Sequence, residues 1–297
     1  MQQTLKTPRS RVLVTAFLPV LLLYSFIFIF PVLFSLQYSF LNWVGGSRKD
    51  FVGWENFSTL FQDKGFGASV ANTLKITFIV TLGQVGLGLI VAILLVSRYV
   101  ALPSLHRTVI FLPVVISPVV TGLIWSLIYN HRYGIITVIL KGLFSLELSQ
   151  IPLWLDNPSI VLYSVCVPVI WQYVGLYMIM LLGALESIPK SIIESAQIDG
   201  ANQFQLSFSV MIPAIYPTFK VAVILCVSGT MKIFDHIFVL TGGGPAEKTM
   251  TMSLYNYRQS FQMMKFSYGS AMALIMIIIS LAVTGFTLKA MGGRRYE

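Results

Sequence analysis

Long uncharged apolar runs alternate with short polar joints along this chain. A helix needs roughly 20 mostly apolar residues to cross a bilayer. Uncharged runs of that kind occupy residues 12–30, 76–97, 108–130, 157–185 and 266–288. A sixth run, 211–240, is apolar but carries Lys220, Lys232 and Asp235. The first run continues past Pro31 to about Phe40 without a small-residue cleavage site, so it reads as a span and not a removable leader. The pattern predicts an all-α membrane protein with six transmembrane helices, at about 12–40, 72–97, 108–130, 158–185, 211–240 and 266–290. The joints are too short for a separate domain, so residues 1–297 are expected to form a single transmembrane domain.

Composition supports the bilayer as solvent. Only 10% of residues are charged and 56% are hydrophobic, with mean hydropathy +0.80. A soluble domain is roughly 25% charged. A small secreted domain, a nucleic-acid binder and a disordered chain are excluded. Cys166 and Cys226 lie inside apolar runs, against a disulfide framework or a thiolate metal site. Twenty Lys/Arg against eleven Asp/Glu give a net charge of +9, spread over the joints. Six spans put both termini on one side. With that side cytoplasmic, the inside segments hold ten Lys/Arg in 68 residues and the outside segments eight in 89. The basic tails, Lys6, Arg9 and Arg11 with Lys289, Arg294 and Arg295, agree, which gives N-in/C-in. Pro113, Pro118 and Pro168 interrupt spans three and four, and Gly83, Gly86 and Gly88 line span two. Neighbouring helices can satisfy the backbone groups that such residues free, so a bundle of bent, closely packed helices is expected.

The most informative joint is the cytoplasmic loop 186–213, between spans four and five. Ser191 with Glu194 has capping-box spacing, and Pro189 is an equally good earlier start. Gly200 is a natural stop. The resulting short helix contains Ile192, Ile193, Ala196 and Ile198. A helix so short is marginal alone, so it must dock on this bundle or on a partner.

Glu194-Ser-Ala-Gln-Ile-Asp-Gly200-Ala, followed by Ile212-Pro213, resembles the EAA loop of inner-membrane permeases in binding-protein-dependent ABC importers. Phe51-Val-Gly-Trp-Glu-Asn-Phe57, Trp171-Gln-Tyr-Val-Gly175, Thr241-Gly-Gly-Gly-Pro245 and Tyr268-Gly-Ser-Ala271 extend the resemblance, to the carbohydrate (maltose-type) branch, over almost the whole chain. It implies that the short helix is a coupling helix seated in a cytoplasmic ATPase. It assigns ATPase coupling to Glu194, Ser195, Ala196, Asp199, Gly200, Ala201 and Pro213, with Asp199 and Gly200 shaping the loop. The implied partners are a second homologous permease, a cytoplasmic ABC ATPase dimer, an extracytoplasmic sugar-binding protein and the sugar itself, at a bacterial or archaeal cell (inner) membrane. No cofactor is expected in this chain, and it is not itself an enzyme; Mg-ATP belongs to the ATPase.

Polar side chains deep in a span usually face the bundle interior. Span four offers Trp171, Gln172, Tyr173 and Tyr177, and span five offers Ser228, Thr230 and Lys232. Alignment on the maltose permease's sugar contacts adds Leu176, Cys226, Gly229 and Ile233 to Gln172, Tyr173 and Thr230 as substrate-path positions. Lys232 and Asp235, three apart, could share a helix face as an ion pair. Alternatively, Lys232 faces the path and favours an acidic or phosphate-bearing sugar. The Gly-rich run before Lys248-Thr249 has Glu247 where a phosphate-binding loop needs glycine. His106, His131 and His236 show no ligand spacing and read as loop or interface residues. An ion-gradient-driven secondary sugar transporter is the alternative, but it should place carboxylates within its spans, and only Asp235 is so placed.

Overall fold

A computed structural model describes residues 10–96 and 101–292, with backbone alone for 10–14 and 16. Lys6, Arg9, Arg294 and Arg295, on which the expected orientation leans, lie outside the described residues. The chain opens with α1 (Ser10–Tyr24), which runs through a π-helical turn into α2 (Phe30–Tyr38). A two-residue hairpin, β1 (Leu41–Asn42) and β2 (Asp50–Phe51), precedes α3 (Glu55–Gln62) and α4 (Lys64–Val96). Next come α5 (Pro103–Phe111), α6 (Pro118–Ile128), α7 (Ile135–Phe144), α8 (Val161–Glu186) and α9 (Lys190–Ile198). The short α10 (Gln203–Gln205) and α11 (Ile212–Ala214) flank a π-helical turn, and α12 (Tyr216–Thr230), α13 (Asp235–Leu240), α14 (Met252–Tyr257) and α15 (Phe266–Ala290) complete the order.

Among the described residues, Phe17–Tyr38, α4, α8 and α15 are each long and apolar enough to cross a membrane. Two bent pairs raise the number to six if each pair counts as one span. They are Pro103–Val115 with Pro118–Ile128, bent by 102°, and Gln203–Ala214 with Tyr216–Thr230, bent by 72°. The segments expected as spans three and five are therefore not continuous rods. At the first bend, Pro118 lacks an N–H and its ring forces Ser117 out of the helical region, to φ −58°, ψ 138°. At the second, Pro213 and Pro217 open α11 and α12 at positions where a missing N–H is tolerated. Span five breaks again after Thr230, and Asp235 starts a fresh helix with its carboxylate in the first turn, where the helix dipole favours it. Lys232 and Asp235 accordingly share no helix face.

The chain forms two compact units. One comprises Met1–Asp63 and Asn256–Ile277. The Phe51–Phe57 motif acts here as a clamp. The Asn56 amide donates to the carbonyls of Ser39 and Leu41, both at 2.8 Å, and the Phe40, Trp54 and Phe57 rings pack together beside it. The Tyr268 hydroxyl donates to the Asp63 carboxylate at 2.6 Å.

The other unit, Lys64–Tyr255 with Ile278–Glu297, is built on α4 packed along α8. A Cβ on Gly88 would sit 3.0 Å from the Met178 backbone nitrogen, so glycine sets how closely the two helices approach. Gly83 faces Ile170, whereas Gly86 faces open space. Gly175 lets α8 touch the backbone of α5, where an added Cβ would lie 2.7 Å from Phe111 Cα. Gln84 ties three helices together: its amide nitrogen donates to the Val169 carbonyl at 2.7 Å, and its oxygen accepts from the Cys226 thiol at 3.1 Å. The loop 241–251 is fastened to α4 by Asn72, which donates to the carbonyls of Glu247 and Met250.

Candidate substrate cavity and coupling surface

A cavity of about 330 Å³ lies where α8, α12 and the α12–α13 break meet. That volume falls within the range of small-molecule sites. Its walls include Tyr173, Leu176 and Tyr177 from α8, Cys226, Gly229 and Thr230 from α12, and Lys232 and Ile233 from the break. These are eight of the ten substrate-path positions read from the sequence. Gln84, Pro118, Asp235 and His236 complete the polar and structural part of the wall. Gln84 was detectable in principle, as an uncharged polar side chain deep in an otherwise apolar run.

The other two positions stand elsewhere. Trp171 packs edge-on against Trp125, with ring centroids 5.9 Å apart. Gln172 is completely buried, and both ends of its amide are engaged. Its nitrogen donates to the Ile116 carbonyl at 2.6 Å, and its oxygen lies 2.6 Å from His236 Nε2. A carbonyl can only accept, so the amide orientation is fixed, and His236 Nε2 must be the donor to Gln172. His236 is thus a core residue, not a loop or interface histidine. This chain of bonds connects the bend before α6, the middle of α8 and the start of α13. Thr230 spends its hydroxyl proton on the Cys226 carbonyl at 2.8 Å, leaving its oxygen as an acceptor. Lys232 and Asp235 both line the cavity, yet among the described residues no ion pair joins them. The wall therefore presents one cation, one carboxylate and two phenol rings.

At the far end of α8, Arg107 pairs with Glu186, and α9 follows directly. Of the two starts offered by the sequence, the Ser191–Glu194 box does not form and the earlier one, at Pro189, is taken. Pro189 occupies the cap position of α9 without a side-chain bond, and the capping box lies downstream, between Asn202 and Gln205. Gly200, at φ +84°, ends α9 in a left-handed turn. Ala201 N–H then bonds the Ala196 carbonyl, and Gly200 N–H that of Gln197, which is the Schellman arrangement. Ile193 and Ala196 turn inward onto the core formed by α4, α8 and α12. Ile192 and Ile198 stay outside, Ile198 at 85% exposure, alongside exposed Glu194, Ser195 and Asp199. Pro213 lies half-buried in α11. One side of α9 thus docks on its own bundle while an apolar and acidic side remains uncovered.

This architecture has known counterparts. The multiple sugar-binding transport system permease protein of Streptococcus mutans is 33% identical over 270 residues, covering 91% of each chain. The sulfoquinovosyl glycerol transport system permease protein of Agrobacterium fabrum is 29% identical over 273 residues, covering 91% of this chain and 87% of the relative. The fold matches a chain of a bacterial ABC transporter involved in import of the acidic polysaccharide alginate. There the TM-score is 0.82 at 22% identity, over 95% of this chain and 96% of that one. With residues 84–290 matching the family's model, the chain belongs to the binding-protein-dependent transport system inner membrane components.

Proposed function

We propose that the chain is one permease half of an ATP-driven sugar importer. Its 297 residues would work as a single six-span transmembrane domain with both termini in the cytoplasm. The observation that carries this reading is the polar, aromatic cavity at a double break in the spans. It is walled by six of the seven positions that resemblance marks as the substrate path. Tyr173 and Tyr177 suit the C–H faces of a sugar ring, and Thr230, Asp235 and Lys232 suit its hydroxyl edge. The substrates named for the two relatives, multiple sugars and a sulfonated sugar glycoside, agree with such a wall.

In this reading α9 is the coupling helix. Ile192, Ile198 and Glu194 would enter a cleft of an ABC ATPase dimer that carries Mg-ATP, while Asp199, Gly200 and Ala201 hold the turn. A second permease would complete the path, and an external sugar-binding protein would load it. The test is a mild-detergent pull-down of the chain from its host, read by mass spectrometry. Recovery of an ATPase and a second permease is expected. A folded chain that comes down alone and carries sugar without ATP would overturn the reading in favour of a gradient-driven transporter.

A further inference from the structure

A second cavity, of about 420 Å³, lies beyond the C-terminal end of α6. Among the residues lining it are Tyr129, His131, Arg132, Tyr133, Trp154 and Asp156. The first cavity touches Pro118 at the start of α6 and the second touches Tyr129 at its end, so the two are about 16 Å apart along that helix. Two rigid turns build it. In one, Asn130 Oδ1 accepts from the backbone N–H of both Arg132 and Tyr133 at 3.0 Å. Gly134 closes that turn so tightly that a Cβ would meet the Asn130 nitrogen at 2.8 Å. In the other, the backbone N–H groups of Asp156 and Asn157 bond the Leu153 carbonyl, which holds Trp154 and Asp156 in place. The Tyr129 hydroxyl donates to the Ser164 carbonyl at 2.9 Å, which fixes that ring to α8.

The polar groups here are not spent on each other. Trp154 Nε1 and His131 Nδ1 are buried and have no hydrogen-bond partner. Neither atom reaches solvent, so both lie behind the cavity wall, and the polar groups the wall itself offers are the exposed ones. Arg132 and Asp156 are exposed and, among the described residues, form no ion pair. The Tyr133 and Trp154 rings with one cation and one carboxylate form a surface that complements a pyranose, apolar on its face and hydroxylated at its rim.

We propose that this cavity is a second carbohydrate subsite, at the outer mouth, which holds a sugar ring before it passes along α6 to the inner cavity. The placement at the outer mouth rests on the proposed function and its N-in/C-in orientation. The binding itself does not, so the two can fail separately. The full chain in nanodiscs, without ATPase, is titrated with maltose and with digalacturonate while tryptophan fluorescence is followed. A saturable signal with at least one disaccharide, absent in Trp154→Phe, is expected. Arg132→Gln and Tyr133→Ala, on an exposed turn where misfolding is not at issue, should each weaken it by about fivefold or more. No saturable Trp154-dependent signal with either sugar overturns the proposal and leaves these rings as interfacial anchors. So does full affinity in both Arg132→Gln and Tyr133→Ala combined with loss of uptake only when a binding protein is present, which would make the surface a protein-docking face.

Discussion

Replacing Gln172 with leucine tests how the bend before α6 is held. The leucine fills a similar volume but leaves two groups without partners, the Ile116 carbonyl and His236 Nε2–H. Each buried orphan costs about 1–3 kcal/mol. His236 lines the cavity, so water can take over its bond, and the Ile116 carbonyl alone sets a floor of about 1–3 kcal/mol. A loss near 2 kcal/mol lowers a melting midpoint by about 4–8 °C in a unit of this size. The assay is thermal unfolding of the detergent-purified chain, for Gln172→Leu, His236→Phe and the double variant. If the bonds form one chain, the double variant loses less than the sum of the singles, by about 0.5–3 kcal/mol. A midpoint for Gln172→Leu within about 1 °C of wild type would show that the amide does not hold the bend.

Three further outcomes are expected. Gly175→Ala pushes a methyl group against the Ile110 carbonyl and Phe111 Cα, backbone atoms that cannot rotate away. A loss of about 1–3 kcal/mol or more should appear as a lower midpoint or poor expression. Lys232→Met should reduce uptake of an acidic sugar by about tenfold or more, the worth of a charge-assisted hydrogen bond, and spare a neutral one. Equal effects on both classes would count against a charge-selective lysine. Ile198→Asp, at an 85% exposed position, should leave the melting midpoint unchanged yet cut ATPase recovery in a pull-down by about tenfold. Undiminished recovery would show that α9 docks elsewhere.

Much of this architecture is written in local chemistry. Apolar run length located the long helices α4, α8 and α15, because burying or bathing such a run in lipid needs no distant partner. The stop of α9 is equally local, since the left-handed turn at Gly200 suits glycine whatever surrounds it. The breaks were less legible. A hydropathy average over 211–240 does not register that α12 ends at Thr230, although Lys232 and Asp235 mark the place. Pro113 and Pro118 announce an interruption but not a 102° bend, which Gln172 holds from far along the chain. The roles of Gln172 and His236 were illegible for the same reason: each is decided by a partner in another element. The start of α9 left two local signals open, Ser191 and Pro189. Ser191 and Glu194 had the right spacing, but the helix starts two residues earlier, with Pro189 at its cap, which places both inside it.

The break between α12 and α13 also sets a timetable. α6 is 11 residues long, about 16 Å, against a hydrocarbon thickness near 30 Å, so it cannot cross a bilayer unaided. Its close neighbour is α13, where Val239 approaches the place of a Cβ on Gly122 to 2.9 Å. The two positions are 117 residues apart (239 minus 122). At ribosomal speeds of about 5–20 residues per second, α13 follows α6 by roughly 6–23 s. Through that interval the half-helix waits in the membrane without its covering strip. Closure of this wall is therefore among the last acts of biogenesis, and a ribosome stalled before Asp235 would leave a half-built port exposed to lipid.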